Sequence, residues 1–272
     1  MSQRVRSLVM DLFGEYYRYA EGEARLGGLS TLLEAFGIDP ATARVTMARL
    51  KKDGWFTTRR EGRESVYCLS EAMSTVIAEG RERIFTRVDA EWDGWWTQVL
   101  YQVPESSRND REAMRKQLTW LGFGQLATST WMSPHEMVDR IDRLAADFPD
   151  ASLDVLRTRT TRVTTDRDLT ERCWDLAELA ADYRDFIADY SSYESGTSLS
   201  SGPEALRVRT AMVADMRRLT FRDPELPIEL SPVDWPGRPA FELFRRVHAS
   251  LAEQADSYFE EVVGRRLERP VV

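Results

Sequence analysis

No feature of this sequence constrains its fold more than residues 39–70, where a helix with both ends specified runs straight into a β-hairpin. Asp39 offers a side-chain acceptor at an N-cap position, and Pro40 stands at the first helical position, where a missing N–H goes unnoticed. Ala43, Met47 and Leu50 follow at i, i+4 and i+7 and make one apolar face. Lys51 and Lys52 fill the last turn, and Gly54 terminates it. The run WFTTRREGRESVYCLS then carries two alternating β-prone segments around Glu61-Gly62. Upstream, Val5, Leu8, Val9, Leu12, Phe13 and Tyr16 lie at helical spacing, and a shorter helix is predicted over 29–36, ahead of Gly37. Helix, helix, capped helix and basic-tipped hairpin is the order of a winged helix-turn-helix. The spacing predicts one over residues 1–88.

Charge points the same way. The chain has 272 residues, with 37 Lys+Arg against 45 Asp+Glu, a net of −8. Residues 40–63 nevertheless hold seven basic side chains (Arg44, Arg49, Lys51, Lys52, Arg59, Arg60, Arg63) against two acidic ones (Asp53, Glu61). Positive charge is concentrated where a groove-reading helix and a backbone-clamping wing need it. The composition excludes other classes. No apolar run approaches the ~20 residues of a membrane span, and Asp11 interrupts the segment where a signal peptide would continue, so the expected compartment is the cytoplasm. Two cysteines, Cys68 and Cys173, and two histidines, His135 and His248, support neither a disulfide framework nor a His/Cys metal site, and no cofactor is expected.

Beyond a helix predicted over 71–85 the pattern changes. WWTQVLYQVP reads as a strand, RNDREAMRKQLTWLGF as a helix, GQLATSTWM as one bent or two short strands, PHEMVDRIDRLAADF as a helix and SLDVLRTRTTRV as a strand. Ser133, Pro134 and Glu136 have capping-box spacing and place that second helix start at Pro134. Alternation of this kind over 89–166 predicts a ferredoxin-like α+β sandwich. Residues 167–272 read as helical, interrupted by a Ser/Gly-rich loop and by RDPELPIELSPVDWPGRP, too rich in proline to be regular. The fold class expected is therefore α+β: an N-terminal winged helix-turn-helix, a central ferredoxin-like domain and a helical C-terminal domain.

Four segments together resemble the PaaX family of bacterial transcriptional repressors: RSLVMDLFGEYY, ARVTMARLKKDGWFTTRREGRESVYCLS, DGWWTQVLYQVP with LGFGQLATSTWMSP, and RDPELPIELSPVDWPGRPA. The last is the most specific, and the resemblance covers nearly the whole chain. It implies the same three domains, the middle one similar in fold to the CRISPR-associated Cas2 proteins. It also implies a homodimer on double-stranded operator DNA, released by a small effector of the aryl-CoA thioester class such as phenylacetyl-CoA, with no membrane partner.

On that reading Thr42, Arg44, Val45, Thr46 and Arg49 face outward from the third helix. Arg44 with Thr42 or Thr46 reads base edges, and Arg49 reads or clamps. Lys51, Lys52, Arg59, Arg60 and Arg63 suit phosphate or minor-groove contacts. For the effector, the candidate constellation is Trp235 for the aryl group with Arg217 and Arg222 for phosphates. Two other motifs are discounted. Gly122-x-Gly124-x-x-Ala127 has a helix before it and a strand after it, the reverse of a dinucleotide fingerprint. Asp223, Glu225, Glu229 and Asp234 lie among prolines and read as turn-capping or arginine-paired carboxylates. The rival function is a metal-dependent nuclease acting through the Cas2-like domain. It needs an acidic residue on the first central strand, where Gln98 and Gln102 stand instead.

Overall fold

The computed structural model describes residues 2–62, 64–87, 91–160, 163–194 and 201–269. The chain packs as two compact units. The first comprises Met1–Thr86, Phe186–Arg217 and Pro239–Val272, the second Arg87–Asp185 and Arg218–Arg238. The stretch 167–272, expected as one helical domain, is thus distributed over both.

In the first unit the elements run α1 (Ser2–Glu15), β1 (Glu23–Arg25), α2 (Leu26–Glu34), α3 (Pro40–Lys52), β2 (Phe56–Glu61), β3 (Glu64–Leu69) and α4 (Glu71–Phe85). The predicted helix order and hairpin are present. α2 begins three residues earlier than the apolar pattern indicates, and β1 is an element the sequence did not announce. It pairs antiparallel with β3, Glu23 opposite Cys68 and Arg25 opposite Val66, so the sheet order is β1-β3-β2. Val5, Val9, Leu12 and Phe13 of α1, Leu29, Leu32 and Leu33 of α2, and Ala43, Met47 and Leu50 of α3 are buried as one core.

The second unit contains β4 (Trp96–Gln102), α5 (Arg108–Trp120), β5 (Gly124–Ala127), β6 (Thr130–Ser133), α6 (Val138–Ala146), β7 (Ser152–Thr158) and α7 (Val163–Cys173). The sheet order is β5-β6-β4-β7, all antiparallel, the β-α-β-β-α-β connectivity that the alternation predicted. Alternation along the strands divides its two faces. Val99, Tyr101 and Trp131 pack with Met114 and Leu118 of α5 and Ile141 and Leu144 of α6. Trp96 and Met132 point the other way, onto Trp174, Leu176, Leu226 and Leu230. Trp96 Nε1 donates to Asp166 Oδ1 at 2.9 Å, satisfying the polar edge of a fully buried indole.

One predicted boundary is corrected. α6 starts at Val138, because Ser133 belongs to the sheet opposite Thr97, and the Thr97 hydroxyl donates to the His135 carbonyl at 2.6 Å. Ser133 Oγ accepts from His135 N instead of capping a helix.

Gly122, at φ +87°, ends α5, and Gly124 opens β5. A Cβ on Gly124 would sit 2.5 Å from Trp174 Cε2 and 2.6 Å from Cys173 Cβ. Neither atom belongs to a flexible tip. Gly124→Ala is therefore expected to destabilise the second unit by about 1–3 kcal/mol, read as a lowered denaturation midpoint. An unchanged midpoint would mean that the indole moves aside freely.

The remaining elements are α8 (Leu176–Tyr190), α9 (Gly202–Thr220), α10 (Gly237–Ser250) and α11 (Ala252–Val263), the last two parted at Leu251. The Pro-rich segment is pinned within the second unit by Asp223. Its Oδ2 accepts from the Tyr183 hydroxyl at 2.7 Å and lies 3.4 Å from Arg87 Nη1, and its Oδ1 accepts from Glu225 N at 2.8 Å. This is turn-capping, as expected, with Arg87 as the cation.

Within the first unit, α1 carries a buried ionic centre. Glu15, with no exposed side-chain surface, receives Arg81 Nη1 at 2.6 Å, His248 Nε2 at 2.9 Å and Arg209 Nη2 at 3.1 Å. Asp256 takes the other side of Arg209 at 2.9 Å and Arg269 at 2.8 Å. His248 Nδ1 lies 3.5 Å from Arg209 Nη2. One neutral tautomer satisfies the ring, its Nε2–H donating to Glu15 while Nδ1 faces the guanidinium. Burial foremost holds the His248 pKa below its ordinary value, outweighing the pull of Glu15. Burial works foremost against the Glu15 carboxylate, but the hydrogen bond from His248 and the charges of Arg209 and Arg81 outweigh it and keep its pKa well below the usual range.

Candidate nucleic-acid interface

α3 is built as its sequence implies. Asp39 Oδ1 accepts from Thr42 N at 2.9 Å, Gly54 closes the helix at φ +79°, and Trp55 N returns to the Leu50 carbonyl at 3.0 Å before β2 begins. With 3.6 residues per turn, each step rotates a side chain by about 100°. Ala43, Met47 and Leu50 face the core, and Ala41, Val45, Ala48 and Lys52 lie on the opposite side, flanked by Arg44 and Arg49. All six are exposed, as is Lys51.

Two expected readers differ. Thr46 is only 6% exposed and does not face outward: three steps from Ala43, it falls about 60° from that residue, inside the buried arc. Thr42 is half-buried, and its hydroxyl donates to Asp39 Oδ2 at 2.7 Å, so it serves the cap.

On the hairpin, Arg60 is exposed, whereas Arg59 is tied down. Arg59 Nη2 meets Glu23 Oε2 at 2.6 Å and its Nη1 meets Glu61 Oε2 at 3.2 Å, and Arg25 holds the other oxygen of Glu61 at 2.9 Å. Hydrogen bonds to Glu23 lead in raising the Arg59 pKa above its usual value, and those same bonds lower that of Glu23. Arg63 lies outside the described residues. Sequence reasoning missed Glu23 because its position is set by the pairing of β1 with β3, and nothing local signals that.

The effector candidates belong to both units. Arg217, in the first unit, pairs with Asp11 at 2.5 Å, where burial foremost pushes that carboxyl up to about 6 despite the arginine. Arg222 and Trp235 are in the second unit. Arg222 is held by Asp182 and by Glu178 at 3.4 Å, and Trp235 packs edge-on to Tyr183 at 5.9 Å. On β4, Gln98 and Gln102 stand where the nuclease reading needs a carboxylate. Among the described residues no three His, Cys, Asp or Glu side chains gather as a metal site. Nor is any described helix long and apolar enough to cross a membrane.

Comparisons with known proteins agree with this geometry. Residues 4–73 match the PaaX-like protein family, residues 89–170 the PaaX protein central Cas2-like domain, and residues 174–261 the PaaX-like protein C-terminal domain. The chain is 31% identical over 276 aligned residues to the transcriptional repressor PaaX of Escherichia coli (strain K12), covering 94% of this chain and 83% of that protein. A solved structure, the uncharacterized protein Rv0674 from Mycobacterium tuberculosis, shares the fold. Its TM-score is 0.57 at 24% identity, over 85% of this chain and 89% of that one. With family matches along nearly its whole length and a relative aligned over almost all of it, the chain belongs to the PaaX family.

Proposed function

We propose that the protein is a sequence-specific, DNA-binding transcriptional repressor. α1, α2, α3 and the β2–β3 hairpin work as a winged helix-turn-helix, the central Cas2-like domain is ferredoxin-like, and the helices from α7 onward form the regulatory part. The observation that carries the reading is the outward face of α3, where Arg44 and Arg49 flank an exposed helix surface immediately before a hairpin bearing Arg60. Family membership and a relative named as a repressor support it. Arg44 reads guanine, Arg49 reads or clamps, and Lys51, Lys52 and Arg60 take phosphates. Arg59, neutralised by Glu23, orders the wing.

One such module makes few contacts, so the active species is a homodimer on a two-fold operator. An aryl-CoA thioester is the proposed effector. It acts by binding best to a conformation that fits the operator poorly, and the coupling is its differential affinity for the two states.

Binding to DNA upstream of the chain's own gene, titrated against salt, tests the first part. Arg44→Ala is expected to lose about 1–3 kcal/mol of base discrimination. Arg60→Ala should weaken all sequences alike and reduce the salt slope by about one. If both variants bind like the wild type, the assignment is wrong. For the effector, phenylacetyl-CoA should raise the melting temperature with the logarithm of its concentration; a flat response removes that part of the reading.

A further inference from the structure

The outward face of α3 has a chemistry narrower than "basic". Its helix, PATARVTMARLKK, contains no Asn, Gln, Asp or Glu. Of its two hydroxyls, Thr46 is buried and Thr42 donates to Asp39. Base-edge hydrogen bonding from α3 is therefore left to cations, which suit guanine O6 and N7. Bidentate recognition of adenine needs a carboxamide, and cytosine N4 needs an acceptor, and α3 presents neither. What it does present, farthest from the core, is a methyl-bearing strip: Ala41, Val45 and Ala48, with Val45 64% exposed between Arg44 and Arg49. No other large apolar side chain of α1, α2 or α3 is so exposed among the described residues. The major groove of DNA offers one apolar group at base edges, the C5-methyl of thymine.

We infer that the protein reads A·T pairs from the thymine side, with Val45 as the specificity-determining contact to the C5-methyl group. The inference rests on the DNA-reading role of α3 proposed above and adds to it the chemical identity of what is read. The flanking arginines supply the attraction that brings an anionic duplex to this face. Without a duplex, an aliphatic strip between two cations faces water for no structural gain.

The test is selection of the full-length protein on random synthetic duplexes, which carry no methylcytosine, followed by affinity measurements on selected sites with uracil in place of single thymines. At one thymine per half-site, uracil should weaken wild-type binding about fourfold, and about fifteenfold when both half-sites are changed. Substitution of 7-deazaadenine for the paired adenine should leave affinity unchanged. Val45→Ala should bind the thymine and uracil probes equally, and Val45→Thr, which keeps a γ-methyl, should retain part of the difference. Because Val45 supports no core, melting temperatures of both variants should match the wild type. Indifference of the wild type to uracil at every selected thymine overturns the inference while leaving DNA reading intact, as does an unchanged thymine-to-uracil ratio in Val45→Ala. Failure of any duplex to be enriched, with no salt-dependent binding, overturns the reading beneath it as well.

Discussion

Replacing Glu15 with alanine is expected to cost the first unit about 3–5 kcal/mol. The reason lies in what remains. Arg209 is 3% exposed by side chain and would keep Asp256 as its one carboxylate, with the His248 carbonyl 3.1 Å from its Nε, while Arg81 would lose its carboxylate and retain its place over the Phe85 ring, 3.9 Å from the centroid. A buried guanidinium without its partner bears the desolvation penalty uncompensated. Against a total stability of about 5–15 kcal/mol, such a loss should be plain as a lower denaturant midpoint. A shift of less than about 1 kcal/mol would show that water reaches the cluster and that the ion pairs are worth no more than surface ones.

The same centre sets a pH dependence whose sign follows from two depressed pKa values. A neutral, buried His248 contributes stability above its unfolded pKa of about 6.5, lost as pH falls toward its lower folded value. The Glu15 carboxylate contributes stability above about 4.3, lost as pH falls through its depressed folded value. Both effects run one way, so this centre should contribute less as pH falls below about 6.5, whereas Asp11, its carboxyl raised to about 6, acts in the opposite sense. His248→Gln should flatten the upper part of that decline. If His248→Gln lost as much stability on acidification as the wild type does, the assignment would be wrong.

The second large effect concerns what the N-terminal module needs in order to fold. Phe259 of α11 is fully buried, stacked on Tyr16 at 5.2 Å and set edge-on to Tyr17 at 5.0 Å, and Gly28 of α2 lies against the backbone of Val262 and Val263. Phe259→Ala should therefore cost about 3–5 kcal/mol. A fragment of residues 1–88, which holds α1 to α4 and the β2–β3 hairpin, should fail to give a cooperative unfolding transition. Tyr16, Tyr17 and Glu15 would all be left without their partners from the C-terminal helices. A fragment that melts cooperatively, near the midpoint of the whole protein, would show that α11 is dispensable.

Local chemistry was readable wherever a residue type has one dominant structural use. Asp39-Pro40 marked the start of α3, Gly54 its end, and the hairpin around Gly62 followed from alternation. The β-α-β-β-α-β order was legible for the same reason. What escaped was set by partners distant in the chain. β1 exists because β3 is there to pair with it, and so Glu23, which neutralises Arg59, could not be located. Ser133 had the spacing of a capping box, yet its place opposite Thr97 in the sheet took precedence. Thr46 is a different kind of miss: the rotation per residue already put it inside the buried arc. Of the outward residues of α3, Arg44, Val45 and Arg49 are where periodicity put them.

The division of the chain between its two units also has a consequence in time. The first unit joins residues 1–86 to two segments made much later, 186–217 and 239–272, so its core closes only after the last of these has been synthesised. At ~5–20 residues per second, α1 to α4 wait roughly 10–40 s on the ribosome for Arg209, His248 and Phe259. During that interval Tyr16, Tyr17 and Glu15 lack the partners that cover them in the finished fold. Newly made chains should therefore depend on chaperone protection for as long as translation lasts, and slower translation of the final third should lower the yield of folded protein.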